Sequence, residues 1–375
     1  MEYKKTIILL ALVVFLLSIA GVSASEIDNT IASENANTIE LSTDNDIEDN
    51  LQTSEENEAL ASTDYDEAIA QTDTEVLGAD SAKYSDLANE INQSGNITLT
   101  HKSYTYDEGG TIAISEDNKV IDGNGAVIDM NGSTIRAFSI SGLGVTIKNL
   151  TIKNANYDGN GGAIYFSNSA TSGTVSNCNF AGNTATGDGG AIRMSSGTVS
   201  NCNFTNNKVT GTNSWGGAIR MSSGTVSNCN FTDNSAFSRG GAVYFSSTGT
   251  VSNCNFTGNT ATYNGGAVYF SNTGTVSNCN FTDNTAYGDG GAVFFFGQGT
   301  VTNCNFSNNS ASRGGAILSL QWWVVTADTC IFKTDSDTTF NTHNLPPTLN
   351  VNNFTTVYGS GEKLTFDLKQ TVAFL

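Results

Sequence analysis

Gly161-Gly162-Ala163-Ile164-Tyr165-Phe166, followed at 173–180 by Gly-Thr-Val-Ser-Asn-Cys-Asn-Phe, is one cycle of a sequence that repeats over much of the chain. The alanine after Gly-Gly recurs at Ala163, Ala191, Ala218, Ala242, Ala267, Ala292 and Ala316, at spacings of 28, 27, 24, 25, 25 and 24. The cysteines keep step at Cys178, Cys202, Cys229, Cys254, Cys279, Cys304 and Cys330, with spacings of 24, 27, 25, 25, 25 and 26. One structural unit therefore uses one of each, and a fixed period of this length marks a stacked repeat.

Within the unit, alternation places Ile164 and Phe166 on one face of a strand and Ala163 and Tyr165 on the other. The inward pairs of later units are Ile192/Met194, Ile219/Met221, Val243/Phe245, Val268/Phe270 and Val293/Phe295. In the second segment Val175 is out of parity with Cys178 and Phe180, so all three can point inward only if the chain bends at Ser176-Asn177. Asparagine suits such a bend, because it tolerates left-handed backbone conformations. It recurs there as Asn177, Asn201, Asn228, Asn253, Asn278 and Asn303. Coils stacked ~4.8 Å apart would bring these amides into a hydrogen-bonded ladder. Short strands joined by turns and stacked in parallel register define an all-β fold, a single-stranded parallel β-helix of about seven regular coils, roughly 34 Å of solenoid at that rise.

A solenoid needs protected ends. Tyr84, Leu87 and Ile91 recur at helical spacing, which predicts a short amphipathic capping helix in front. Trp322, Trp323, Val324 and Val325 break the repeat and would cover the back.

The flanks differ in composition. Lys4 and Lys5, an apolar run from Ile7 to Ala20 and Val22-Ser23-Ala24 have the layout of a secretory signal peptide over 1–24, with an uncleaved anchor as the alternative. Residues 25–80 carry 17 acidic residues and no Lys or Arg, most of the formal charge of −20. That stretch reads as a disordered, solvated linker and makes nucleic acid an unsuitable partner.

Residues 97–155, with Val120-Ile121-Asp122-Gly123-Asn124-Gly125 and Val145-Thr146-Ile147-Lys148-Asn149-Leu150-Thr151-Ile152, resemble the opening coils of the pectin lyase-like right-handed β-helix superfamily. The resemblance implies the right-handed winding. Phe-x-x-Asn (Phe204 to Asn207, Phe231 to Asn234, Phe256 to Asn259, Phe281 to Asn284) joined to Gly-Gly-Ala-Ile/Val resembles the repeats of chlamydial polymorphic outer-membrane proteins. It is closer still to adhesin-like surface proteins of methane-producing archaea. The resemblance covers residues 81–335 and implies a secreted, monomeric cell-surface protein that attaches to glycans or to surface proteins of other cells.

Two features depart from those relatives. No C-terminal membrane barrel follows. After a linker at 336–347, Pro346-Pro347-Thr348-Leu349-Asn350-Val351 and Val357-Tyr358-Gly359 in the tail 348–375 look like the start of an immunoglobulin-like repeat. Only 28 residues follow Pro347, too few for a sandwich of roughly 100. The tail is expected either to be the incomplete start of such a module, in a truncated surface protein, or to add strands to the solenoid.

Candidate ligand contacts come from the outward row of the Gly-Gly-Ala strand: Tyr165, Arg193, Arg220, Tyr244, Tyr269, Phe294 and Leu318. Rings and guanidinium groups can hold sugar faces or an aromatic partner; the plainer alternative is mutual stabilisation of neighbours on a sheet. Aromatics also precede Gly-Gly at Tyr157, Trp215, Phe237, Tyr263 and Tyr287, at no single offset. The loop carrying Trp215 is the long one, 12 residues from Phe204 to Gly216 against 9 in most coils. Variable loops on a fixed scaffold are where recognition sits, so Trp215 is the leading contact candidate.

Cys178, Cys202, Cys229, Cys254, Cys279 and Cys304 are expected to form a core thiol ladder, because their parallel Cβ vectors suit disulfides poorly. Neither metal nor cofactor is expected: His101 and His343 lie outside the repeats and no Cys-x-x-Cys occurs. Asn203, Asn230, Asn255, Asn280 and Asn305 begin formal glycosylation sequons, which the repetition of structurally useful residues explains.

A polysaccharide lyase or hydrolase is the rival to adhesion, and a passive spacer is the third reading. Hydrolysis needs a carboxylate pair, and elimination needs a carboxylate patch with a base. Asp188 and Asp289 lie in Gly-Asp-Gly-Gly turns four coils apart, about 19 Å, and no carboxylate cluster accompanies Arg193 and Arg220. A non-catalytic binder is expected.

Overall fold

The computed structural model describes residues 80–320 and 325–334 and, beyond them, the strands at 339–343, 350–352, 355–358 and 365–367. The signal segment, nearly all of the acidic linker, Trp322, Trp323 and Pro346-Pro347 lie outside the described residues.

The fold is a parallel β-solenoid of about ten turns. The described strands assemble into three parallel sheets of 21, 11 and 7 strands. The first carries two strands per repeat, one on each side of the bend, as with Gly173–Ser176 and Asn179–Ala181. The second holds the Gly-Gly-Ala strands, and the third consists mostly of two-residue strands from Asn156–Tyr157 to Ser310–Arg313. Register is identity on identity: Val175 pairs with Val199, Phe180 with Phe204 and Arg193 with Arg220.

The bend is where the sequence parity breaks. Asn177, Asn201, Asn228, Asn253, Asn278 and Asn303 have φ of 53–54°, so Val175, Cys178 and Phe180 all enter the core. Phe180, Phe204, Phe231, Phe256, Phe281, Phe306 and Phe332 stack with centroids 4.7–5.0 Å apart and planes within 9°.

The two glycines of each motif have different tasks. The first adopts a left-handed conformation, φ 72° at Gly216 and 66° at Gly240, which residues with a Cβ resist. The second has an ordinary φ but lies against the next coil: a Cβ on Gly241 would overlap the Gly266 carbonyl oxygen.

The amide ladders do not run through the bend asparagines as expected. Only Asn177 among them makes that contact, donating from Nδ2 to Asn149 Oδ1 at 3.2 Å. One ladder is buried, formed by the asparagine of Phe-x-x-Asn from Asn183 to Asn309. Asn234 Nδ2 donates to Asn259 Oδ1 at 3.0 Å and to the Phe204 carbonyl at 3.0 Å, while the Asn234 backbone N–H also donates to Asn259 Oδ1 at 3.0 Å. The other ladder is exposed and uses the sequon asparagines, with Asn230 Nδ2 donating to Asn203 Oδ1 at 2.8 Å. At the bend, asparagine serves the left-handed backbone; the two ladders take up the side-chain amides that stack in register beside it.

The thiol column is present, and Cys178, Cys202, Cys229, Cys254, Cys279 and Cys304 are all buried and free. Its hydrogen bonding explains the choice of cysteine. The Cys229 N–H donates to Cys254 Sγ at 3.4 Å, and the Cys254 thiol lies 3.1 Å from the Ser252 carbonyl oxygen. A buried backbone donor at the bend thus finds its acceptor in the next coil's sulfur. Burial pushes the Cys178 thiol well above its ordinary value; at Cys304 the hydrogen bond with Cys279, then burial, push it up to about 12.

The helix Tyr84–Ile91 covers the front of the core with Tyr84, Leu87 and Ile91 buried. Asp86 accepts the Lys83 N–H at 3.1 Å, and the Tyr84 hydroxyl donates to the Ala137 carbonyl at 2.8 Å. Towards the other end, Thr339–His343, inside the stretch expected as a linker, pairs in parallel with the strand Ile317–Leu320. Asn350–Asn352 and Thr355–Tyr358 likewise pair in parallel with Val325–Asp328 and Ile331–Thr334.

Candidate functional site

The outward row of the second sheet lies in strict register, with Tyr165, Arg193, Arg220, Tyr244, Tyr269, Phe294 and Leu318 as successive partners. It is not, however, a free surface. Tyr244, Tyr269 and Phe294 are 4%, 3% and 0% exposed, so the expectation of a continuous exposed stripe fails over that half. Part of the reason is a second column, made by the residue just before Gly-Gly, which leans over the row one coil further on.

The two columns match chemically. Trp215 stacks on Tyr244, centroids 5.0 Å apart and planes at 17°, and joins Tyr244, Tyr269, Phe294 and Leu318 in one apolar cluster. Arg239 lies over the Tyr269 ring at 5.5 Å, and Asp188 approaches Arg220 Nε at 3.7 Å. Ring meets ring, cation meets ring, and carboxylate meets guanidinium. Trp215, the leading contact candidate, is thereby partly buried in packing, and its backbone N–H donates to Asp188 Oδ1 at 3.0 Å.

Tyr165 and Arg193 remain half-buried, and Arg220 has 13% of its side chain exposed. Arg136, in an irregular coil where no repeat flagged it, lies 4.6 Å from the Tyr165 ring, and Arg193 lies 5.2 Å from it. Stacking brings a single carboxylate, Asp188, to Arg220, because the turn before Gly-Gly sits beside the following coil's strand. Burial raises the Asp188 carboxyl above its ordinary value, against the Trp215 N–H and the two arginines.

Three exposed aromatics stand on the lip beside this face. Phe237, Tyr263 and Tyr287 are 39%, 52% and 68% exposed in three consecutive coils. Ala236, Ala261 and Ala286 are register partners, so Phe237 and Tyr287, each following such an alanine, share a column, about 9.6 Å apart at ~4.8 Å per coil. Tyr263 is one residue further along. The sequence showed these aromatics but scattered their offsets, since Trp215 belongs to the pre-Gly-Gly column and not to the lip.

The same third sheet borders an open groove of about 550 Å³ lined by Asn131, Asn154, Asn156, Thr184, Lys208 and Thr210 among others. Elsewhere the carboxylates are engaged: Arg313 holds both oxygens of Asp289 at 2.6 Å. Among the described residues, no group of three or more His, Cys, Asp or Glu is placed to hold a metal ion.

Residues 169–332 match the family model of the right handed beta helix region. With the parallel stacking, this defines the class: a right-handed parallel β-helix protein. No curated protein and no solved structure matches the chain.

Proposed function

We propose that this chain is a non-catalytic, adhesin-like surface protein that attaches to glycans through the outer face and lip of its β-helix. The observation that carries the reading is the placement of Phe237, Tyr263 and Tyr287 in consecutive coils, exposed on one edge of a rigid scaffold. Large exposed rings in a row are uncommon without a partner, and sugar C–H faces stack on aromatic faces while ring edges leave hydroxyls free to bond. The resemblance to archaeal adhesin-like repeats supports the same role and an extracellular location.

The site offers little for catalysis. Asp188 bonds the Trp215 N–H and faces Arg220, and Asp289 is held by Arg313. Hydrolysis requires two carboxyls within ~5–10 Å of each other, and these two lie four coils apart.

The test is retention of the purified full chain on immobilised glycans and whole cells, with sugar release measured alongside. Saturable retention without released reducing or unsaturated sugars supports attachment. Released sugars would make the chain a lyase or hydrolase, and neither retention nor release would leave a spacer.

A further inference from the structure

We infer that the third sheet is a track for an uncharged glycan chain lying parallel to the solenoid axis, with a polar half and an aromatic half. The inference rests on the glycan reading above and assigns the site and the ligand class.

The outward residues of this sheet stack as a column of amides and hydroxyls, with Lys208 the one charge: Asn156, Thr184, Lys208, Ser235, Thr260 and Thr285 are successive register partners. Over the first coils the column forms one wall of the 550 Å³ groove. The side chains of Asn131, Asn156, Thr184 and Lys208 line that groove and make no hydrogen bond or ion pair to the described residues. They are neutral or singly charged donors and acceptors facing solvent, the groups that bond sugar hydroxyls.

The next column continues the groove. The residue after each buried Ala or Val reads Thr186, Thr210, Phe237, Thr262 and Tyr287, all exposed. Thr210 lines the groove and Phe237 stands in the following coil. A linear chain lying along the sheet would pass from a hydrogen-bonding floor onto two rings that can stack under it. From Asn156 to Thr285 is five coil steps, about 24 Å at ~4.8 Å each, room for several sugars.

Charge selects the ligand class. Arg193 and Arg220 belong to the second sheet's face, Arg136 lies over Tyr157 of the third sheet at 3.8 Å as well as near Tyr165 of the second, and no carboxylate lines the groove. An acidic polysaccharide would gather on the arginines, whereas the third-sheet column, with Lys208 its single cation among Asn156, Thr184, Ser235, Thr260 and Thr285, is mainly a complement to an uncharged one. An uncharged ligand also makes binding insensitive to salt, since screening weakens contacts between charges.

The test is affinity electrophoresis of the full chain in gels containing soluble neutral glucan, mannan or galactan, and separately polygalacturonate or heparin, at low and high salt. The track predicts retardation by at least one neutral polysaccharide, equal at both salts. Phe237→Ala with Tyr287→Ala should weaken it about tenfold or more, and Asn156→Ala with Thr184→Val several-fold. Arg193→Ala should leave it unchanged, and circular dichroism melting should show each variant folded. Salt-sensitive retardation by acidic polysaccharides alone, abolished by Arg193→Ala, would overturn the track and leave glycan attachment standing. Neutral-glycan binding indifferent to both double variants would also overturn it. No retardation by any polysaccharide, with no retention on glycan surfaces, would remove both readings.

Discussion

The buried asparagine ladder and the lip of the third sheet run side by side through the same coils, yet only one of them repeats. The ladder shows Asn in every coil from Asn183 to Asn309, whereas the lip column changes from Thr186 and Thr210 to Phe237, Thr262 and Tyr287. The ladder amide has two donors and one oxygen, and each is used by the coils above and below; a substitution there orphans several buried groups at once. The lip residues are exposed, Thr186 and Thr210 bonding the preceding coil through their hydroxyls and Phe237 and Tyr287 standing in solvent, so packing constrains them far less. Uniformity marks what stacking demands, and variety marks where an external partner can choose.

The largest effects should fall on the uniform side. Asn259→Ala removes the acceptor of the Asn234 amide and backbone N–H and the donor to the Phe231 carbonyl and Asn284. It should cost about 3 kcal/mol or more in denaturant unfolding. Gly241→Ala should destabilise comparably or prevent folding, because its Cβ would overlap the Gly266 carbonyl.

Cys254→Ala comes next, at about 1–3 kcal/mol, since it orphans the buried Cys229 N–H. Cys254→Ser should be milder. If the two substitutions destabilise equally, the sulfur fills space and accepts no essential bond. In the exposed ladder, Asn280→Ala should change stability by no more than about 0.5–1 kcal/mol in the same assay, as its bonds exchange with water.

A smaller effect concerns acid. At Glu90 burial raises the carboxyl, but hydrogen bonds from Tyr104, Thr100 and His101 outweigh it and hold the group below the ordinary carboxylate value. A depressed folded value means its stabilisation is present above the unfolded value and lost as pH falls through the folded one. Hydrogen exchange at and below the ordinary carboxylate range should therefore loosen the front cap before the repeats, and Glu90→Gln should blunt that difference.

Much of the fold was legible because repetition converts spacing into register. The parity break between Val175 and Cys178 announced the bend, and Tyr84, Leu87 and Ile91 announced the cap. The ladder's position was missed because the bend, sequon and Phe-x-x-Asn asparagines fall within seven residues, as at Asn228, Asn230 and Asn234, and only the backbone decides which are left-handed and which stack. The ligand surface was the least legible part. Tyr244 and Tyr269 alternate outward, yet the pre-Gly-Gly column folds over them, and that column's pairing spans two coils. Trp215 and Tyr287 look alike in sequence, but the longer loop puts one against Tyr244 and leaves the other 68% exposed.

The contrast between scaffold and lip is tested most directly by pairing stability with attachment in one variant. Phe237→Ala with Tyr287→Ala should leave the unfolding midpoint of the full chain unchanged, within about 0.5 kcal/mol, while glycan retention falls about tenfold or more. A variant that loses stability and keeps retention would show that these rings serve packing and would contradict the account.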